Sequence, residues 1–122
     1  MDNETVVILG ASPKPERYAN KALRLLRSRG HRVIPVHPAM DQIEGLAVRR
    51  SLNEIQEPVD TLTLYVGPER GEALAEDIVR LHPRRVIFNP GTESAYLEGR
   101  LSDSGIPCVF DCTLVMLNAG RF

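Results

Sequence analysis

Apolar residues gather in short runs at regular intervals: Val6 to Leu9, Val33 to Val36, Leu62 to Val66, Val86 to Phe88 and Ile106 to Phe110, each followed closely by Gly, Pro or Asn. Runs this short and rich in Val and Ile suit strands buried on both faces, and the intervals leave room for a helix in between. The first helix is the clearest. Ala19, Ala22, Leu23 and Leu26 share one face, Lys21, Arg24 and Arg27 point away, and Gly30 stands where a left-handed cap closes a helix. Residues Pro68 to Leu81 predict a second helix, with Pro in the first turn, acids early, Leu74, Ile78 and Leu81 on one side and Pro83 as the stop. A third starts from Thr92 as its cap, carries Ala95, Leu97 and Leu101, and ends by Gly105. Residues 39–57 are less regular and predict a short helix around Leu52 to Ile55, while Asp111 to Thr113 opens a terminal helix running through Leu117. Strand and helix in alternation predict an α/β fold, a doubly wound parallel sheet of about five strands with helices on both faces.

In such a sheet ligands bind beyond the C-terminal ends of the strands, where strand order reverses, so the segments that follow each run are the places to look for chemistry. After the first run, Gly10, Ala11 and Ser12 offer backbone N–H groups and a hydroxyl at the start of a helix, where unpaired donors and the helix dipole favour an anion. Arg17 and Lys14 add charge-assisted hydrogen bonds to a pyrophosphate. The alternative is a plain strand-to-helix turn with Ser12 as a cap and Arg17 solvated. A dinucleotide fingerprint needs G-x-G-x-x-G, and Ser12 stands where the second glycine belongs, which disfavours an ordinary NAD site.

The second tip, Pro35-Val36-His37-Pro38, lacks the acid that holds a dinucleotide's ribose, and His37 either bonds a ribose or phosphate or is a surface or capping residue. At the third, Tyr65-Val66-Gly67-Pro68, Val66 and Pro68 line an adenine ring, or the strand simply ends before a proline-started helix. At the fourth, Gly91 in Asn89-Pro90-Gly91-Thr92 lets a ligand lie along the chain or forms an ordinary turn. At the last, Asp111-Cys112-Thr113, the Cys112 thiol either faces the cleft or is a buried structural cysteine.

Bulk composition narrows the classes. A chain of 122 residues is read as one domain, 1–122, large enough to fold alone. Lys+Arg 15 against Asp+Glu 16 gives a net charge of -1, with the basic residues dispersed, so a nucleic-acid partner is not indicated. Cys108 and Cys112 are too few for a disulfide scaffold and their spacing fits neither a redox motif nor half a zinc site, which points to a reducing compartment. The start, MDNETVVILG, places acids ahead of a short apolar run, unlike a secretory leader, and no stretch approaches the ~18 apolar residues of a membrane span. A cytoplasmic protein is expected. The tips hold no paired carboxylates, Ser-His-Asp set or metal cluster.

Taken together, GASPKPER at 10–17, VIPVHP at 33–38, Gly45, SLNEI at 51–55 and PVD at 58–60 resemble the small stand-alone CoA-binding domain proteins, relatives of the N-terminal domain of the succinyl-CoA synthetase alpha subunit. The resemblance runs over nearly the whole chain. It implies a Rossmann-like domain that binds coenzyme A, with the turn at Gly10, Ala11 and Ser12 on the pyrophosphate and Arg17 nearby. The family's V-N-P falls on Val36, His37 and Pro38, with His37 in place of Asn, and its adenine-side strand end falls on Val66, Gly67 and Pro68. FNPGTES at 88–94, containing Pro90 and Gly91, departs from the family's commoner form with tryptophan and glutamine. Acyl-CoA ligase activity in the larger synthetases needs a phosphorylated histidine on a separate domain and is not carried over. The leading reading is therefore a non-catalytic module for CoA or a short acyl-CoA, acting as a sensor or as partner of an enzyme, with a protein partner or homo-oligomer left open. Two alternatives stand beside it: an enzyme on a nucleotide-linked or phosphorylated substrate using His37 as acid or base and Cys112 as nucleophile, and an NAD(H)-binding redox sensor.

Overall fold

A computed structural model describes residues 3–122; Met1 and Asp2, the beginning of the segment read above against a leader, lie outside the described residues. In chain order the elements are β1 (Thr5–Leu9), α1 (Tyr18–Ser28), β2 (Arg32–Val36), β3 (Gln42–Ile43), β4 (Leu46–Ala47), a 3-10 turn (Leu52–Glu54), β5 (Thr61–Leu64), α2 (Pro68–Ala73), α3 (Ala75–Leu81), β6 (Arg85–Phe88), α4 (Ala95–Asp103), β7 (Cys108–Phe110) and α5 (Thr113–Asn118). Five strands form one parallel sheet in the order β2-β1-β5-β6-β7, with β3 and β4 as a separate antiparallel hairpin. The sheet is Rossmann-like, as the alternation of runs and helices predicts.

Period-two side-chain direction divides the core into two layers. Val6 and Ile8 pack with Ala19, Leu23 and Leu26 of α1 and Leu117 of α5, while Val7 and Leu9 face the other way with Leu62, Leu64, Val86 and Phe88 under Ile78, Leu97 and Leu101 of α3 and α4. The close of α1 follows the expected chemistry: Gly30 takes φ +88, its N–H donates to Arg27 O, and His31 N–H donates to Leu26 O, the paired bonds of a Schellman motif.

Several local expectations are corrected. The helix expected from Pro68 to Leu81 is two helices that meet at Leu74, with Gly71, a weak helix former, in the turn before the break. Ser94, not Thr92, caps α4, its Oγ accepting from Leu97 N at 3.1 Å, while Thr92 Oγ1 donates to Asn89 O at 2.7 Å. Ser12 does not cap α1, because the helix begins only at Tyr18; its Oγ accepts from Lys14 N instead. Asp111 does not close the start of α5: Oδ1 accepts from the neighbouring Cys112 N, Oδ2 pairs with Arg121, and the Thr113 N–H is met by Asn89 Oδ1 from just past the end of β6. The β3–β4 hairpin inside residues 39–57 was not expected. Its turn places Glu44 at φ 52 and Gly45 at φ 77, a left-handed pair normally signalled by Asn-Gly.

Candidate functional site

The chain leaves β1 for β2 on one side and β5 for β6 on the other, so the order reverses between β1 and β5 and a crevice opens past their C-terminal ends. A cleft of about 250 Å³ occupies it, lined by Gly10, Ser12, Arg17, Tyr18, Ala19, Tyr65, Val66, Gly67, Pro90, Gly91 and Thr92. Seven of the residues singled out from sequence thus meet in one place: Gly10, Ser12, Arg17, Val66, Gly67, Pro90 and Gly91.

The donors are the informative part. Among the described residues, the N–H groups of Ser12, Tyr18 and Ala19 hydrogen-bond to no other group, and Arg17 forms no ion pair. Ser12 brings its amide from the turn after β1, whereas Tyr18 and Ala19 bring theirs from the first turn of α1, where a helix has no internal acceptors to offer. The α1 N-terminus therefore contributes, but from Tyr18 on, several residues beyond the glycine-serine turn.

Gly10 is a glycine for the protein's own sake. It sits at φ +95, and a Cβ there would lie 2.9 Å from Val66 Cγ1 and 3.0 Å from the Tyr65 carbonyl carbon, so the tips of β1 and β5 touch at this point. Gly67 differs: its φ is -66 and a Cβ would meet nothing within 4 Å.

Other expected residues stand outside the cleft lining. Ala11 is buried with its N–H on Val36 O at 3.2 Å, and Val36 is buried in β2, so these two join the first and second tips as structure. His37 Nδ1 accepts from the N–H groups of Ala39 and Met40 at 3.0 and 3.2 Å, a capping role for that ring nitrogen. Lys14 and Pro38 are exposed, and Pro68 opens α2. His37 follows β2 at one edge of the sheet and Cys112 follows β7 at the other, with no hydrogen bond between them, so the acid–base and nucleophile pair considered above is not assembled.

Sequence reasoning missed the support beneath the cleft. Tyr65 lies on the α5 side of β5, and its hydroxyl is buried without a hydrogen-bond partner; burial pushes its pKa up to about 12. Below it, buried Asn89 donates through Nδ2 to Thr63 Oγ1 at 2.7 Å and Leu64 O at 2.9 Å, and Thr63 and Thr113 hydroxyls lie 2.8 Å apart. The signal in the sequence is the polar alternation Thr61, Thr63, Tyr65 inside a run otherwise apolar. A larger hollow of about 510 Å³ lies at the opposite ends of the strands, but its charged groups already have protein partners: Arg84 pairs with Asp60 and Arg85 with Glu4, while Asp60 Oδ2 also accepts from Thr5 N and Glu4 Oε1 from Thr61 Oγ1. Among the described residues no group of His, Cys, Asp and Glu is arranged to hold a metal ion, and no helix is long and apolar enough to cross a membrane.

Sheet order and the cleft at the switch point together define a Rossmann-like α/β domain. The chain belongs to the CoA binding domain family, whose model matches residues 4–118. It is 43% identical to a solved structure of an uncharacterized protein, with a TM-score of 0.94 and 100% of both chains covered. The structure of cell-free ID.343 from Thermus thermophilus is 31% identical, with a TM-score of 0.90, covering 98% of this chain and 91% of that one. The uncharacterized protein YneT of Bacillus subtilis (strain 168) is 26% identical over 117 residues, 96% of this chain and 87% of that protein.

Proposed function

We propose that the chain binds coenzyme A or a short acyl-CoA in the cleft between the tips of β1 and β5, as a module that catalyses no reaction of its own. One observation carries this: the N–H groups of Ser12, Tyr18 and Ala19 and the Arg17 guanidinium, none of them with a partner among the described residues, border the same cleft, a set of donors suited to a diphosphate. Membership of the CoA-binding family supports the choice of ligand. Val66, Gly67 and the neighbouring Pro68 offer an apolar bed for the adenine, and the exposed Pro90-Gly91 tip offers a second wall for the rest of the molecule. Lys14 and His37 stand outside the cleft lining, and in this reading the exposed Lys14 side chain adds its charge on the phosphate side while His37 keeps to capping its own turn. The ligand then serves as a signal to be sensed or handed to an enzyme, in a cytoplasmic setting that fits the free thiols of Cys108 and Cys112.

Calorimetric titration with CoA, dephospho-CoA and NADH tests this. CoA is expected to bind, NADH to bind more weakly, and Arg17→Ala to lose about 1–3 kcal/mol of CoA affinity through its lost phosphate contact. No heat and no thermal shift with millimolar CoA would overturn the assignment.

A further inference from the structure

We infer that Asn20 is a positioning residue, one side chain that aims the Ser12 amide and holds it in place against the amides of Tyr18 and Ala19; this rests on the diphosphate reading above. Asn20 is the third residue of α1, in its first turn, with 0% of its surface exposed and both its amide nitrogen and its amide oxygen hydrogen-bonded. Its Nδ2 donates to Ser12 O at 2.9 Å and to Glu44 Oε2 at 3.1 Å, and its Oδ1 accepts from Arg24 Nε at 2.8 Å. Arg24 in turn donates to Pro15 O at 2.8 Å, so the loop between the glycine-serine turn and α1 is held from behind at two carbonyls.

The consequence for the cleft follows from peptide geometry. The Ser12 N–H belongs to the peptide linking Ala11 and Ser12. The preceding peptide is tied through Ala11 N–H to Val36 O, and the following one through Ser12 O to Asn20. With both flanking groups held and an L residue on either side, the two dihedrals that aim the middle amide, ψ of Ala11 and φ of Ser12, are confined to a narrow range. Asn20 also stands directly after Tyr18 and Ala19, so the same residue locks the turn amide to the helix amides in one frame.

Glu44 gives independent support. It occupies a left-handed turn position, φ 52, that an asparagine or glycine takes more readily, and its carbonyl is clamped by Arg27 Nη1 at 2.8 Å. A carboxylate close behind an anion-binding turn works against the ligand's charge. Its place is explained by the bond to Asn20, which it orients toward Ser12 O.

The test compares wild type with Asn20→Leu, which keeps the branched outline of the side chain, with two methyl groups for the amide, and removes the hydrogen bonds. Affinities for CoA, ADP and adenosine are measured by titration, and backbone amide exchange is followed without ligand. The expected result is a loss of about tenfold for both CoA and ADP, the size of one ordinary hydrogen bond, with adenosine unchanged. Exchange at the Lys14 and Arg17 amides, bonded to Ser12 Oγ and Lys14 O, should quicken while that at Leu23 and Leu26 holds. A folded variant with wild-type affinities, or one that loses adenosine as steeply as ADP, overturns the inference while leaving the functional reading intact. Failure of the wild-type chain to bind CoA or ADP overturns both. Should Asn20→Leu not fold, Asn20→Ser, smaller and hydrated, carries the same comparison with the same expected outcomes.

Discussion

Two glycines in one cleft meet opposite surroundings, and the difference is measurable. Gly10 combines a left-handed backbone with close contact to Val66 and Tyr65, so Gly10→Ala should cost about 2–3 kcal/mol of stability whatever is bound, seen as a drop in Tm. Gly67, in ordinary extended backbone facing open space, should tolerate Gly67→Ala at about 0.5 kcal/mol, the usual penalty at a helix N-cap. Any larger loss from Gly67→Ala should fall on CoA affinity, read by titration. The sequence makes Gly10, Ser12 and Arg17 conspicuous, because a glycine after an apolar run marks a strand tip. It does not reveal that Gly10's missing side chain makes way for protein atoms, since that contact joins segments more than fifty residues apart. Asn20 is hidden for the same reason, a polar residue on the first helix whose partners, Ser12 O and Glu44, come from elsewhere in the chain.

Among the elements, α5 shows how a helix can take its cap from a distant strand. Its Thr113 N–H is met by Asn89, which also bonds Thr63 and Leu64 O, so one buried amide joins β5, β6 and α5 below the cleft. Asn89→Leu strands all of these groups and should cost about 3 kcal/mol in denaturant unfolding, since each unmet buried group costs roughly 1–3 kcal/mol. The Pro90-Gly91 tip should loosen with it, because Thr92 is anchored on the Asn89 carbonyl. Periodicity made the central strands and α1 legible. It misassigned the α4 cap by two residues, since Thr92 and Ser94 are equally good capping types and only the position of Leu97 N–H separates them. The hairpin was illegible because Glu44 stands where its turn would advertise Asn.

At the scale of the whole molecule, the alternation of runs and helices yields a parallel sheet, but strand order comes from packing that no local pattern encodes. Pro35 was the available hint: lacking an N–H, proline belongs on an edge, and β2 is one. That edge is held by charge. Glu57 takes bonds from Arg49 and Arg32 at 2.6 and 2.7 Å, and the Arg49 guanidinium, with backbone N–H groups and Arg32, holds its carboxyl well below the usual range. A lowered folded-state pKa adds stability that is complete above the unfolded value of about 4.3 and fades as pH falls beneath it. Wild type should therefore melt above Glu57→Gln at pH 7, and the gap in Tm should narrow on acidification to about pH 3.

The two margins of the sheet are unequal. Along β2, the outward groups of Pro35 and His37 are already taken by Arg49, whereas β7 offers a bare three-residue margin with Phe110 46% exposed. A further strand added in the plane of this sheet meets untaken backbone groups past β7. On the β2 side the same extension would first have to displace Arg49 from Pro35 and His37, so the sheet resists growth at one margin and invites it at the other.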